Sequence, residues 1–413
     1  MELRPARALS LLIAAYLSVS GAEGKAIDLL YISRGLAQGS ITDRMLGADP
    51  AINPHPVPMP GHYSIGSLGM DADVINRAMR IYMPRNYQYL LDNYDVAVLH
   101  EAACGAPDYQ AVYFDAKWMD WFVKAVELEG FHLSMWGGDA SWGGEKGGYY
   151  LSWGDTMMEV ILPFECIPRF THGSSMPHKV RFLEEGNRLA NLPWGQAGPV
   201  ELMNEVVAKE GTVVVAEAYI SDFTNPWIGY WRYGKGKVTG ETQIFGSRGT
   251  TNRMMQWDWF QDFLIYLTYF AADKEIPVDL YRAHRIREEI NTHIAKASML
   301  ISLLEFVERF GANTMRLYEE LDAIEEVEKH AESLYVEDDY DGAAAVFEEV
   351  HAMWIDVNMQ AARLKRQSLF WVYVIEWTLT SSVLIISGLL VWTLMVRRRL
   401  YREARTTRML PEG

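Results

Sequence analysis

Apolar positions follow two rhythms along the chain, and the rhythm changes near Asp279. Before that point, short apolar runs recur at residues 26–33 (AIDLLYIS), 96–99, 131–136, 212–218 (TVVVAEA) and 238–245. Runs of this length, bounded by polar or glycine positions, predict strands buried on both faces. A further strand is predicted over 63–68. Between the runs at 96 and 131, Trp118, Trp121, Phe122, Ala125, Val126 and Leu128 recur at three- and four-residue spacing, and Gly130 follows as a C-terminal cap. Strand, helix and strand in this length form a right-handed crossover of a parallel sheet. Helices are also expected over 70–82, 85–93, 153–162 and 254–272. Residues 47–62, rich in proline and glycine, are expected to be irregular, and 166–199 show no firm period. Beyond Asp279, residues 280–310, 312–336 and 340–367 carry helical periodicity with many Glu and Ala. They predict a helical hairpin or three-helix stalk, with faces able to pack on one another or on a second copy in a homo-oligomer.

The two ends of the chain point to a membrane. Residues 1–22 carry Arg4 and Arg7, an apolar segment over 8–19, and Ser20-Gly21-Ala22 where a signal peptidase would cut before Glu23. An uncleaved anchor is the alternative and gives the same topology. Residues 377–396 (WTLTSSVLIISGLLVWTLMV) are uncharged and of spanning length. Trp371, Tyr373 and Trp377 flank one edge and Trp392 lies near the other, as interfacial aromatics do. Arg397, Arg398, Arg399, Arg402, Arg405 and Arg408 follow, against Arg363, Lys365 and Arg366 before the stretch. The positive-inside rule then places the tail in the cytoplasm of a type I cell-membrane protein. The expected organisation is a signal peptide at 1–22, an α/β domain at 23–275, a helical stalk at 279–368, a transmembrane helix at 370–396 and a basic tail at 397–413. The net charge of −16 argues against a nucleic-acid partner, because phosphate binding needs a basic patch.

A family resemblance rests on four short pieces. YDVAVLHEA (94–102), a helix, GFHLSMWGGDASWGG (130–144) and ILPFE (161–165) occur in the order seen in class I glutamine amidotransferase-like domains, and PWIGYWRYGKGKV (226–238) resembles the strand pair that closes that fold. The resemblance covers about residues 25–271. It implies a flavodoxin-like, amidotransferase-like parallel sheet. It also implies a nucleophilic cysteine on the turn after the strand ending at Trp136, and a histidine with an acid after the last strand. Here Gly137-Gly138-Asp139 and ETQIFG (241–246) stand at those places. Without a thiolate beside a base there is no ammonia release from glutamine, so the resemblance implies the scaffold as a pseudoenzyme.

Ligands of such sheets bind beyond the carboxyl ends of the strands. The candidate ligand cleft is therefore His100, Glu101, Cys104, Trp136, Gly137, Gly138, Asp139, Ser141 and Trp142, with Trp153 as a further wall. A carboxylate beside a histidine can support acid–base work, and the glycines would let a ligand approach the backbone. The bland alternative is that the polar groups cap helices and the tryptophans are core. An extracytoplasmic compartment leaves a disulfide open to Cys104 and Cys166, whose separation the sequence does not fix. If free, Cys104 is the thiol candidate for chemistry. Glu337, Asp339, Asp341, Gly342 and Glu348 match positions 1, 3, 5, 6 and 12 of a calcium-binding EF-hand loop, although position 1 is normally Asp. A turn between helices is the alternative, and no other cofactor is expected. Three functions follow: a membrane-anchored domain that binds an unidentified ligand or partner protein outside the cell, an extracytoplasmic hydrolase using Asp139, Ser141 or Cys104, and an envelope scaffold acting through the helical region.

Overall fold

The computed structural model of the chain describes residues 26–34, 45–59, 72–106, 112–138, 141–144, 151–172, 178–184, 186–245 and 253–407. The signal segment, the strand expected at 63–68, Asp139 and Arg408 lie outside them. The chain divides into two compact units, Met1–Asn291 with Lys329–Ala345, and Thr292–Glu328 with Val346–Gly413.

The first unit opens with β1 (Ile27–Arg34), β2 (Ile52–Met59), α1 (Ala72–Tyr82), α2 (Tyr87–Asn93) and β3 (Val96–His100). A short ladder of β4 (Gly105–Ala106) with β5 (Val112–Tyr113) precedes α3 (Ala116–Lys124) and β6 (His132–Trp136). Then come β7 (Phe164–His172), β8 (Lys179–Phe182), β9 (Leu202–Ala208), β10 (Val213–Ile220), β11 (Phe223–Tyr233), β12 (Gly236–Glu241) and α4 (Phe260–Ala271). Among the described residues eight strands form one mixed sheet in the order β2-β1-β3-β6-β12-β11-β10-β8. The first five run parallel, and the hairpin of β11 with β12 turns the sheet antiparallel towards β8. The molecule is thus α/β with a helical part.

The central strands are legible as continuous apolar runs because both faces are covered: Leu29 to Ile32 and Val96 to Leu99 have no exposed surface. Leu30, Ile32, Ala97 and Leu99 share one core with Phe122 of α3. On α4, Phe263 stacks on Trp227 at 5.6 Å.

β2 falls where the sequence predicts an irregular stretch. Its Pro54, Pro56 and Pro58 pair in register with Leu29, Tyr31 and Ser33 of β1. Successive N–H groups of a strand point to opposite neighbours, so prolines at alternate positions withhold hydrogen from one side only. β2 is outermost among the described strands, which makes that side the edge, where proline is tolerated and blocks further pairing. Residues 153–162 form two 3-10 turns rather than a helix. Ser152 and Thr156 each accept a hydrogen bond from the backbone N–H two residues on, restarting the turn each time. Within 166–199, β7 pairs with β9 and β8 with β10, half-exposed ladders held by backbone bonds rather than by an apolar period.

Three helices follow: α5 (Leu280–Glu308), α6 (Met315–Val336) and α7 (Tyr340–Thr407). In the first unit, Arg287 of α5 is 2% exposed and gathers five polar side chains around it. Its Nη1 donates to Asp49 Oδ2 at 2.9 Å and to the Tyr335 hydroxyl at 2.6 Å, and its Nη2 donates to the Tyr266 hydroxyl at 2.6 Å and to Asp262. Tyr335 and Tyr269 donate in turn to Asp49, at 2.7 and 2.9 Å. Burial pushes the pKa of Asp262 up, but the Arg287 charge and a hydrogen bond from His284 outweigh it and hold the carboxyl below its ordinary value. In the second unit, the Glu328 carboxylate accepts from Trp354 Nε1 at 3.0 Å and pairs with His293 at 3.0 Å, beside a core that includes Leu304, Ile324 and Val357. α7 is long and apolar enough to cross a membrane, and none of its most apolar stretch is buried.

Arg287→Ala should cost about 3–5 kcal/mol, because it strands two buried carboxylates. Urea unfolding of the detergent-solubilised chain checks this, and a loss under about 1 kcal/mol would mean that the carboxylates find other partners. Arg287→Lys should fall between the two, since an ammonium cannot serve both carboxylates in a fork.

Candidate functional site

The carboxyl ends of β3, β6 and β12 lie side by side, because β6 pairs with both neighbours in parallel. Each ends in a polar or glycine step. β3 runs into His100 and Glu101, β6 into Gly137 and Gly138, and β12 into Glu241, Thr242 and Gln243.

Glu241 is the centre of this edge and has no exposed surface. Its Oε1 accepts from Trp227 Nε1 at 2.8 Å and from the Gln243 N–H at 2.6 Å, and its Oε2 faces the Gly137 N–H at 3.3 Å. Burial nevertheless dominates. It raises the pKa to about 8, against the three donors, with the charge of Glu101 adding to the rise. A carboxyl poised there can hold or release a proton near neutral pH.

Glu101 is 4% exposed and sits at φ +48, a left-handed conformation that costs a residue with a side chain about 1 kcal/mol or more. Its N–H bonds the Trp136 carbonyl at 3.4 Å. His100 Nδ1 shares a hydrogen bond with the Tyr31 hydroxyl, and the imidazole packs between Trp136 at 5.4 Å and Phe245 at 5.8 Å. His100 and Glu101 thus meet Glu241 at one edge, on both sides of the Gly137-Gly138 turn.

The glycines are explained by the protein itself. A Cβ on Gly137 would stand 2.4 Å from the Gln243 carbonyl, and one on Gly138 would stand 2.4 Å from Glu101 Cγ. The side chain of Asn204 brackets Gly138, accepting from its N–H at 3.0 Å and donating to its carbonyl at 3.1 Å. Ser141 is buried and donates to the Trp136 carbonyl at 2.7 Å, so its hydroxyl fixes the turn. Trp142 and Trp153 are fully buried, with indole N–H groups donating to the carbonyls of Glu241 and Ala102. Trp142 packs on Phe164 at 5.2 Å, and Trp136 donates to Ser134 Oγ.

Cys104 and Cys166 are free thiols, so the disulfide that the sequence leaves open is not formed. Burial pushes Cys104 up to about 12, and its Sγ donates to the Leu151 carbonyl at 3.1 Å. Burial also raises Cys166, with Glu159 adding to it. Both stay protonated at neutral pH, which is the unreactive form.

Two of the EF-hand-like carboxylates have partners within the protein. Asp339 caps α7 by accepting from the Gly342 N–H at 2.9 Å, Asp341 pairs with Arg282, and the Glu337 N–H bonds the Ser333 carbonyl. Glu348 follows within α7. Among the described residues no group of three or more His, Cys, Asp or Glu is arranged to hold a metal ion.

Asn204 and Gln243 escaped the sequence reading. The Gln243 amide is fully buried, and neither its nitrogen nor its oxygen has a hydrogen-bond partner among the described residues. A buried unpaired amide costs about 1–3 kcal/mol, and such groups persist where something else uses them. The signal available was Glu241 itself, a charged residue closing an otherwise uncharged strand end.

No protein-family model and no curated protein matches the chain. Solved structures to which it is similar include the cytoplasmic protein STM1381 of Salmonella typhimurium LT2, at 16% identity and a TM-score of 0.44, over 59% of this chain and 98% of that one. The cytoplasmic protein STM3548 of Salmonella typhimurium is similar at 16% identity and a TM-score of 0.43, with the same coverage. Agd3, described as a carbohydrate deacetylase, is similar at 9% identity and 0.34, over 60% of this chain and 33% of its own. The likeness is distant, and the chemistry of the strand ends is read from this chain's own residues.

Two outcomes are expected. Gly138→Ala should destabilise the fold by about 1–3 kcal/mol, because the new methyl meets the Glu101 backbone as well as its side chain. The native state binds a proton at Glu241 that the unfolded chain, at its ordinary value of 4.5, releases. The contribution of Glu241 to stability should therefore fall as pH rises between 4.5 and about 8. Glu241→Gln should remove this slope. Thermal unfolding across the window, wild type against variant, checks it.

Proposed function

We propose that this is a single-pass membrane protein whose α/β unit lies outside the cytoplasm and binds a ligand or partner at the carboxyl ends of its parallel strands. The observation that carries the membrane part is α7. Over its apolar stretch, large side chains such as Trp377 at 71%, Leu384 at 67% and Leu394 at 65% stand exposed on every side of the helix. A contiguous apolar surface of that length needs cover, and a bilayer supplies it. The arginines that follow favour a cytoplasmic tail.

The strand order β2-β1-β3-β6-β12 matches the 2-1-3-4-5 order of flavodoxin-like sheets and supports an amidotransferase-like scaffold. In that order the strand connections diverge between β1 and β3, whose ends bring Ser33 level with His100. Ligands of doubly wound sheets sit there. The unpaired amide of Gln243 on the same edge supports binding. The protonated Cys104, and a Ser141 hydroxyl committed to a backbone carbonyl, support a role other than thiol or serine chemistry.

A second reading, an extracytoplasmic hydrolase, is favoured by one observation: a carboxyl with a pKa of about 8 beside a second buried carboxyl, the pairing that general acid–base catalysis uses.

Alkaline carbonate washing of membranes from expressing cells, followed by protease added to the outer side, tests the proposal. The chain should stay in the pellet, and protease should remove the α/β unit while sparing a tag placed after the last residue. Release into the wash, or loss of the tag with retention of the α/β unit, would overturn it.

A further inference from the structure

The membrane reading leaves the basic segment after the span without a role beyond topology, and α7 gives that segment a defined geometry. The helix does not end at the span. It continues unbroken to Thr407, so the arginines between Val396 and Thr407 are carried on the same helix with no intervening linker. Arg397, Arg398, Arg399 and Arg402 are all exposed. At 1.5 Å per residue, Arg402 lies roughly 9 Å and Arg405 roughly 14 Å beyond Val396 along the axis. The polar layer on each side of a bilayer is about 5–7 Å thick, and an arginine side chain reaches back several ångströms along the helix. Arg398, Arg402 and Arg405 stand at i, i+4 and i+7, on one face of the helix. Between residues 397 and 407 there are five arginines and one acid, Glu403, in a chain whose net charge is −16.

Resting on the membrane reading, we propose that the 397–407 extension of α7 is a binding surface for anionic phospholipids, with its run of arginines drawing in their headgroup phosphates. Guanidinium forks match phosphate oxygens in pairs, and their charge is fixed at any physiological pH. A polybasic segment at this depth is held in the headgroup layer, where anionic lipid is concentrated and soluble phosphate is not.

The test uses the full chain, reconstituted into vesicles of phosphatidylcholine containing a minority of phosphatidylglycerol and then extracted for native mass spectrometry of the retained lipids. The wild type should retain phosphatidylglycerol over phosphatidylcholine by on the order of 5–10-fold relative to the vesicle composition. The preference should shrink when extraction is done at about 0.5 M salt. The triple variant Arg398→Gln, Arg402→Gln, Arg405→Gln keeps good helix formers and should retain the two lipids in vesicle proportion. Equal retention by the wild type, or an unchanged preference in the variant, overturns the proposal while leaving the membrane reading intact. A chain that stays out of the vesicles overturns both. Addition of inorganic phosphate should leave the preference in place, and its loss on that addition would assign the arginines to soluble phosphate instead.

Discussion

The interaction on which most else in the first unit depends is the buried guanidinium of Arg287. It satisfies Asp49 before β2, Asp262 and Tyr266 on α4, and Tyr335 near the end of α6, all within hydrogen-bond distance. A charge out of water is tolerated only when it is paired and hydrogen-bonded, and here the partners of both terminal nitrogens come from three separate stretches of the chain. The network therefore works as a registration device. It ties the start of α5 and the end of α6 to α4 and to the residue ahead of β2.

The same rule, read at the strand ends, gives the opposite result. At Glu241 burial is met by no cation among the described residues, so the carboxyl keeps its proton, and three donors arranged around it lower that preference without reversing it. The turn after β6 is built around this arrangement. Gly137 gives its N–H to Glu241, Gly138 lies against a strained Glu101, and Asn204 fixes the second glycine from β9. Three strands and two glycines hold the protonated Glu241 carboxyl in place.

What the sequence showed, and what it hid, follows from how each element is stabilised. β1, β3 and β6 are covered on both faces, which leaves an unbroken apolar run that can be read directly. The helices beyond Asp279 are legible because period and composition agree over many turns. β2 was hidden by prolines that an edge strand accepts, and β7 and β8 by exposure, since their pairing is backbone bonding that side chains do not advertise. At the candidate site, the glycine turn was readable, but its cause was not. The sequence suggested room for a ligand, whereas the close neighbours are Glu101 and Gln243. Asn204 and Gln243 were invisible for a related reason: their roles arise from strands that meet only in the fold.

The membrane helix is the claim on which the functional account stands, because it decides the compartment, the orientation and the lipid contacts together. Amide hydrogen exchange of the full chain in lipid nanodiscs tests it most directly. The account predicts that amides of residues 377–396 exchange far more slowly than those of the exposed face of α7 before the span, since no water reaches them. Exchange across 377–396 at the rate of a solvent-exposed helix would contradict it.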